Sequence, residues 1–259
     1  MDEPPVVLER DARGIATATL NRPARGNAYD EAMLGALIDG LATLGDARAL
    51  VIRGAGRHFQ AGADINWLNR AANYPPDQAF AASMATTRAM QRLNELPCPT
   101  IAIVQGACFG GGCGMLCCCD VVLADPAAIF GLTEVRVGVA PTPISTHMVH
   151  AMGLRHTRRY ALTGERFDAA EALRIGLVHE IVAADRREAR LAEIIEAIML
   201  GAPGAIAATK ASFLGANGVT LDERQMTMLA HESWMQRAGA EGHEGTAAFA
   251  EKRKPAWYR

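Results

Sequence analysis

Two buried strand patterns, each followed by a glycine-rich turn and a helical pattern, constrain the fold of this chain most strongly. Residues 49–52 form an apolar run that ends at the glycine-rich segment 54–62. Residues 100–104 form a second apolar run, and three successive glycines at 110–112 follow it before an apolar helical pattern. Short apolar runs bounded by glycine are typical of core strands, and strands that alternate with helices predict an α/β protein.

The same alternation continues through most of the chain. Residues 6–8 and 15–20 predict two paired strands, residues 77–96 predict a helix, and residues 121–124 predict a third core strand. Asp30 is a candidate N-cap for a helix with apolar residues at helical spacing. Beyond about residue 185 only helical patterns remain. We therefore predict a core over residues 1–200 and a C-terminal helical region over residues 201–259.

Composition and charge exclude several classes of protein. Half of the 259 residues are hydrophobic and 21% are charged, which is typical of a globular chain rather than a disordered one. The net charge of −2 and the sparse aromatic residues argue against a nucleic-acid partner. No apolar run reaches the roughly 20 residues that a membrane helix needs. The N-terminus lacks the pattern of a secretory signal, so we expect a cytoplasmic protein that does not bind membranes.

The six cysteines predict neither disulfides nor a metal site. They stand at positions 98, 108, 113, 117, 118 and 119, whereas a disulfide framework spreads its cysteines through a small secreted chain. Cys113 and Cys117 have the spacing of one helical turn, but no second pair of Cys or His ligands accompanies them. We interpret the cysteines as small, buried, reduced thiols.

The two glycine-rich segments are candidate sites for backbone hydrogen bonding to a ligand. The first resembles the start of a dinucleotide fingerprint, but Phe59 stands where its third glycine belongs. Each segment alone has an ordinary explanation as a tight turn, with Asp64 as the cap of the following helix. Three successive glycines, however, cost backbone entropy. Two turns whose backbone amides are exposed by small side chains together predict an oxyanion hole, with one amide donor from each turn.

Glu134 is the acidic residue best suited to acid–base chemistry. It is the only acid in the otherwise largely apolar stretch 129–138. On the surface it would be an ordinary glutamate. In an apolar pocket, loss of hydration would raise its pKa and make it an effective acid or base near neutral pH.

Several further motifs are spread along the chain from about residue 5 to about residue 257. They are Asn21-Arg22-Pro23 with Asn27-Ala28, residues 59–65, residues 105–120, Phe130-Gly131 with Glu134, Leu162-Thr163-Gly164 with Ala170, Gly176-Leu177-Val178 and residues 249–254. These motifs, in this order, resemble those of the enoyl-CoA hydratase/isomerase (crotonase) superfamily. The resemblance implies a spiral of ββα units, with C-terminal helices that mediate a homotrimer and usually a homohexamer built as a dimer of trimers.

The resemblance also implies the substrate and the site. The substrate would be an acyl-CoA thioester, with no cofactor beyond the CoA that it carries and no metal. The amides of Ala63 and Gly111 would hold the thioester oxygen, and Glu134 would be the catalytic acid and base. The residues implied to bind the substrate are Asn27, Ala28, Ala61, Asp64, Ile65 and Gly114, together with Lys252, which would reach the CoA of a neighbouring subunit.

One position departs from the common pattern of the family. Gly114 stands where typical hydratases carry the first of two catalytic glutamates, which leaves Glu134 alone. The stretches 64–68, 109–114, 131–136 and 158–168 resemble bacterial 3-methylglutaconyl-CoA and isohexenylglutaconyl-CoA hydratases more than the typical hydratases of the family. The segment 140–145, which the resemblance places beside the acyl pocket, differs from their usual loop.

We therefore expect hydration of a glutaconyl-type 2-enoyl-CoA, with Arg136 as one candidate partner for the distal carboxylate. The enzyme alternative is a Δ3,Δ2-enoyl-CoA isomerase, or another thioester-enolate reaction, that uses the same glutamate. The alternative from another class is a non-catalytic acyl-CoA-binding or RNA-binding paralogue. The net charge argues against RNA, and retention of both glycine turns with Glu134 argues against a loss of catalysis.

Overall fold

The computed structural model describes residues 3–218 and 220–258, and its strands and helices alternate as predicted until the last strand. The strands are β1 (Val6–Arg10), β2 (Ile15–Leu20), β3 (Ala49–Gly54), β4 (Thr100–Val104), β5 (Ala107–Phe109), β6 (Val121–Ala124), β7 (Ile129–Gly131), β8 (Arg166–Asp168) and β9 (Glu180–Ile181). The helices are α1 (Glu31–Ala42), α2 (Ile65–Ala71), α3 (Pro76–Asn94), α4 (Gly111–Cys117), α5 (Ser145–Thr163), α6 (Ala169–Arg174), α7 (Arg187–Leu200), α8 (Pro203–Asn217), α9 (Glu223–Ala238) and α10 (Ala240–Ala250). Short 3₁₀ helices include Glu134–Val137 and Thr142–Ile144.

The strands form a six-stranded sheet and a three-stranded sheet. The large sheet has the order β1-β2-β3-β4-β6-β9 and is parallel except for the β1–β2 pair, and the small sheet has the order β5-β7-β8. The predicted α/β class and the three predicted core strands are confirmed. Strand β5 was not predicted, because its three residues lie within the segment interpreted as a glycine-rich turn.

Helices cover both faces of the large sheet, which explains why β3 and β4 are apolar without alternation. Leu50 and Ala102 belong to the main core cluster, which also contains residues of α1, α3 and α4. Their neighbours Val51 and Ile101 point to the opposite face and pack with Leu191 of α7. The predicted boundary at residues 200 and 201 falls where α7 ends, and the division into two regions stays a prediction.

The last two helices pack against the part of the fold that carries Glu134. Helix α9 lies along α3 and beside the 3₁₀ helix Thr142–Ile144, and α10 contacts the 3₁₀ helix Glu134–Val137. No single helix within residues 3–218 and 220–258 is long and apolar enough to cross a membrane; the pair α7 and α8, bent by 100°, meets the criterion only jointly, by length and composition.

The side chain of Asn27 fixes the first glycine-rich segment to the chain that precedes α1. Asn27 is fully buried, with the left-handed φ of 57° that asparagine tolerates better than most residues. Its Nδ2 donates to the carbonyl oxygens of Ala55 at 2.9 Å, His58 at 2.8 Å and Phe59 at 3.2 Å. Its Oδ1 accepts the amide of Arg22 at 2.9 Å. One side chain thus joins two loops that are about 30 residues apart.

The guanidinium of Arg22 makes a second connection between the same loops. It donates to the carbonyl oxygen of Ala28 at 2.6 Å and pairs with the buried carboxylate of Asp64 at 3.0 Å. Asp64 also caps α2, since its Oδ1 accepts the amide of Asn66 at 2.9 Å. These contacts hold Ala63, which lies immediately before Asp64, in a defined position.

We expect Asn27→Asp to lower the free energy of unfolding by about 3 kcal/mol, because it removes both N–H donors and turns a carboxylate toward buried carbonyl oxygens. Chemical denaturation monitored by circular dichroism measures the change. The matched control is Asn73→Asp at an exposed asparagine, which should alter stability by about 0.5 kcal/mol or less. Equal effects of the two substitutions would contradict the role given to Asn27.

Candidate active site

The two glycine-rich turns and Glu134 meet at one pair of adjoining cavities. The outer cavity, of about 520 Å³, is lined by Ala61, Ala63 and Ile65 from the first turn, by Gly110 and Gly111 from the second, and by Glu134. The inner cavity, of about 50 Å³, adjoins it. The lining residues common to both cavities are Tyr29, Ala63, Leu68, Gly111, Glu134 and Val137.

The amide of Ala63 is available to a ligand because of a short parallel bridge. The amide of Tyr29 donates to the carbonyl oxygen of Gly62 at 2.9 Å, and the amide of Asp64 donates to the carbonyl oxygen of Tyr29 at 2.7 Å. The carbonyl and the amide of one peptide group point to opposite sides. Because the Gly62 carbonyl faces Tyr29, the Ala63 amide of the same peptide group faces away from Tyr29. Within residues 3–218 and 220–258 it has no hydrogen-bond acceptor.

The amide of Gly111 is available for a different reason. Gly111 is the first residue of α4, and the first amides of a helix have no acceptor within it. The preceding Gly110 has a φ of 52°, and its own amide donates to the carbonyl oxygen of Gly131 at 2.8 Å. No acceptor for the Gly111 amide lies in the described part of the chain. Two unpaired backbone donors at one cavity are what an oxyanion hole requires.

Glu134 follows β7 and begins a 3₁₀ helix that brings its carboxylate against the turn at Gly110. A Cβ atom on Gly110 would lie 2.8 Å from Oε1 of Glu134, so the two groups are in direct contact. The residue is half-buried as a whole, but its Oε2 is excluded from solvent and has no hydrogen-bond partner among the described residues. Burial raises the pKa of Glu134 from 4.5 to about 7, which is the direction that the sequence analysis predicted for this residue in an apolar pocket.

The raised pKa has a defined cost for the folded protein. A carboxyl whose pKa is higher in the folded protein than in the unfolded chain stabilises the fold fully when the pH is below its pKa in the unfolded chain. This contribution is lost as the pH rises through its pKa in the folded protein. For Glu134 the loss falls between pH 4.5 and about 7. Above pH 7 the folded protein therefore holds an ionised carboxylate that is poorly solvated.

Ile144 occupies the space that a side chain at position 114 would need. Gly114 is buried in α4, and a Cβ atom there would lie 2.5 Å from Cγ2 and 2.7 Å from Cβ of Ile144. Ile144 belongs to the segment 140–145, which follows the 3₁₀ helix of Glu134. Among the described residues that line the two cavities, Glu134 is the only carboxylate, and Gly114 lines neither cavity.

The other predicted positions fall into three groups. Ala61 and Ile65 line the outer cavity, where the exposed Arg136 also lies. Asn27, Ala28 and Asp64 are buried beside it, and the contacts described above use their polar groups to hold the first turn in place. Lys252 is exposed just beyond the end of α10, three residues after Phe249 of the outer cavity.

Among the lining residues that sequence reasoning missed, Tyr29 and Arg237 bear most directly on the site. Tyr29 lies over Gly111, where an added Cβ would be 2.6 Å from its ring, and burial raises the pKa of its hydroxyl. Arg237 lines the inner cavity from α9. Its signal in the sequence is the helical spacing of Ala230, Ser233 and Arg237, which are the buried residues of that helix.

Within residues 3–218 and 220–258, no group of three or more His, Cys, Asp or Glu side chains could hold a metal ion. The six cysteines are free, and all except Cys117 are buried, as predicted. Burial raises the pKa of the Cys119 thiol to about 12, so this thiol stays protonated at neutral pH.

We expect Gly111→Ala to lower kcat/KM roughly 100-fold or more, because the new methyl group displaces either the ring of Tyr29 or the Gly111 amide. Steady-state kinetics with an enoyl-CoA, the substrate class that the resemblance implies, measures the change. Gly215→Ala in α8 is the matched control, since a Cβ atom there meets nothing within 4 Å. A Gly111→Ala enzyme as active as the control would show that this amide has no part in the reaction.

Comparison with known proteins agrees with the geometry. The model of the family described as enoyl-CoA hydratase/isomerase matches residues 10–259. The 2,3-dehydroadipyl-CoA hydratase of Escherichia coli is 32% identical over 262 residues, covering 96% of this chain and 97% of that protein. A solved putative enoyl-CoA hydratase of Mycobacterium avium paratuberculosis is 33% identical with a TM-score of 0.86, covering 98% of this chain and 99% of the other. AtuE of Pseudomonas aeruginosa is 40% identical with a TM-score of 0.79, covering 98% and 100%.

Proposed function

The chain belongs to the enoyl-CoA hydratase/isomerase family, and on that premise we propose that it adds water across the 2,3 double bond of a glutaconyl-type acyl-CoA. The α/β crotonase fold with its C-terminal helices is confirmed. The observation that carries the proposal is that Glu134, with a pKa of about 7, is the only carboxylate among the described residues that line the two cavities, and that two backbone amides without an acceptor in the described chain line the same cavities.

Ala63 and Gly111 supply the electrostatic part of the reaction. Addition of water at Cβ of a 2-enoyl thioester moves negative charge onto the thioester oxygen. Backbone amides that lack other acceptors donate to this oxygen without having to reorganise, and they stabilise the enolate more strongly in an enclosed site than in water.

Glu134 supplies both proton transfers. In its ionised form it binds a water molecule and accepts a proton as the water oxygen bonds to Cβ. The carboxylic acid so formed then donates that proton to Cα of the enolate, which restores the carboxylate and completes the addition of H and OH. A pKa of about 7 suits both steps, because neither the acid nor the base is rare near neutral pH.

The absence of a side chain at position 114 supports a mechanism with one carboxylate. Ile144 lies over Gly114 and fills the space that a second glutamate would use. The proton that leaves water and reaches Cα therefore passes through Glu134 in both of its transfers in the proposed reaction.

The glutaconyl-type substrate is supported by a relative and by the size of the site. The relative from Escherichia coli is named 2,3-dehydroadipyl-CoA hydratase, and adipic acid is a dicarboxylic acid. The inner cavity of about 50 Å³ has room for only a few water-sized groups, which favours a short acyl end over a long fatty chain.

The remaining assignments belong to the same proposal. Asn27, Ala28, Ala61, Asp64, Ile65 and Gly114 would form the surroundings of the bound thioester, and Lys252 would reach the CoA of a neighbouring subunit. A homotrimer or a dimer of trimers would bury the large apolar side chains that the C-terminal helices expose, such as Leu200, Phe213 and Met228. The cytoplasmic location, and a reaction without metal or further cofactor, remain predictions.

We expect the purified protein to convert 3-methylglutaconyl-CoA or a related glutaconyl thioester into a product heavier by one water. Glu134→Gln should lower this rate roughly 10²- to 10⁴-fold, because an amide neither accepts nor returns the proton. Mass-resolved product analysis measures both, with crotonyl-CoA, isohexenylglutaconyl-CoA and a 3-enoyl-CoA alongside. The matched control is Glu196→Gln at an exposed glutamate, which should retain full activity.

Two results would overturn this assignment. A product of unchanged mass with a shifted double bond would identify an isomerase instead. Full hydratase activity in Glu134→Gln would show that another group transfers the proton.

A further inference from the structure

Arg237 is a buried cation without an anionic partner among the described residues. The residue is only 4% exposed. No carboxylate in residues 3–218 and 220–258 lies within the 4.0 Å of an ion pair, and its Nε has no hydrogen-bond partner there. A buried charge is costly unless an opposite charge and hydrogen bonds compensate for it, so the missing anion requires an explanation.

The contacts that Arg237 does make fix its position without neutralising it. Its Nη2 donates to the carbonyl oxygen of Ala79 at 3.4 Å and to the hydroxyl of Ser83, both on α3. The guanidinium also lies over the ring of Trp67, 5.6 Å from the ring centroid. These contacts leave the guanidinium in a fixed orientation, which is the condition for recognising a rigid planar group.

Arg237 does not act as the counter-ion of Glu134. The pKa of Glu134 is governed by burial and by a backbone hydrogen bond, with no contribution from an arginine. The carboxylate that does act on the pKa of Arg237 belongs to the exposed Glu31, and Tyr29 acts in the same direction. Burial outweighs both and lowers the pKa of Arg237 from its ordinary value.

The inner cavity connects this cation with the proposed reaction centre. Arg237, Ser233 and Thr86 line it together with Ala63, Gly111 and Glu134, and the rest of its lining includes Leu68, Val139, Pro143 and Ile144. An acyl chain whose thioester oxygen binds the two amides and whose far end enters the inner cavity therefore meets a fixed guanidinium in an otherwise mainly apolar space.

We propose that Arg237 binds the distal carboxylate of the acyl chain and selects CoA monothioesters of short unsaturated dicarboxylic acids. The inference rests on the proposed function, since it takes the acyl chain to lie between Glu134 and α9. Arginine and carboxylate form charge-assisted hydrogen bonds, often two in parallel, and the ligand supplies the anion that the described residues do not. The small volume of the cavity limits the class to short chains.

The exposed Arg136 is the alternative partner that the sequence offers. It lines the outer cavity, where water screens its charge, so it discriminates poorly between a carboxylate and a neutral group. Arg237 is shielded from water and discriminates strongly for the same reason.

The decisive comparison uses substrates that differ only at the far end of the acyl chain. Glutaconyl-CoA carries a distal carboxylate, its distal methyl ester carries a neutral group, and 2-pentenoyl-CoA carries a methyl group there. We expect the wild-type kcat/KM to be roughly 100-fold higher for glutaconyl-CoA than for either neutral thioester. Arg237→Gln should reduce this preference to within a few-fold of unity while it retains activity on 2-pentenoyl-CoA, which also shows that the variant is folded.

Two further variants serve as controls. Arg224→Gln removes a positive charge from an exposed position of the same helix, and Arg136→Gln removes one of the arginines that line the outer cavity, where the exposed Arg166 also lies. Both should keep the wild-type preference. If Arg136→Gln lost the preference for glutaconyl-CoA and Arg237→Gln retained it, the proposal would be overturned. An equal fall of kcat/KM on all three substrates in Arg237→Gln would also overturn it.

A binding measurement separates this inference from the proposed reaction. Calorimetry compares the saturated, unreactive glutaryl-CoA with its distal methyl ester on the wild-type protein. Tighter binding of the free carboxylate that is abolished by Arg237→Gln would support the inference even if no thioester were hydrated, an outcome that would contradict only the proposed function. Equal binding of the two ligands to the wild-type protein would overturn the inference without any variant, even if hydration were observed.

Discussion

The contact between the carboxylate of Glu134 and the backbone of Gly110 is the interaction on which the rest of the site depends. It requires a glycine with a positive φ at position 110, since a Cβ atom would lie 2.8 Å from Oε1 of Glu134. It also brings the carboxylate to the turn that ends at the free amide of Gly111. The loop contacts of Asn27 and Arg22 bring the second free amide, that of Ala63, to the same cavity.

The site holds two charged groups that the free protein does not satisfy. Glu134 has an oxygen without a partner, and Arg237 has a guanidinium without an anion among the described residues. Both arrangements cost stability, and such costs are typical of groups held ready for a ligand or a transition state. In the proposed complex, water and the enolate engage Glu134 and the two amides, and the distal carboxylate engages Arg237.

Local sequence patterns were sufficient for the framework of the fold but not for the site. Strands β3, β4 and β6 and the cap of α1 are encoded by runs of apolar residues and by Asp30, so they were predicted nearly to the residue. Strand β5 depends on its pairing with β7, which lies about 20 residues further along the chain. The position of Ile144 over Gly114, and of Tyr29 over Gly111, results from tertiary packing that no local pattern encodes. The helical spacing of Arg237 with Ala230 and Ser233 marks it as buried, but no local pattern places it at the inner cavity. The arginine that sequence reasoning named, Arg136, lies exposed at the outer cavity.

The most direct test of the central claim is an NMR titration of the side-chain carboxyl of Glu134 in the folded wild-type protein, with Glu134→Gln used to assign its signal. If apolar packing against the Gly110 turn sets the chemistry of this residue, the carboxyl titrates with a pKa of about 7. A pKa near the ordinary 4.5 would mean that the carboxylate is well solvated, and it would contradict the account of a buried group that accepts and returns a proton near neutral pH.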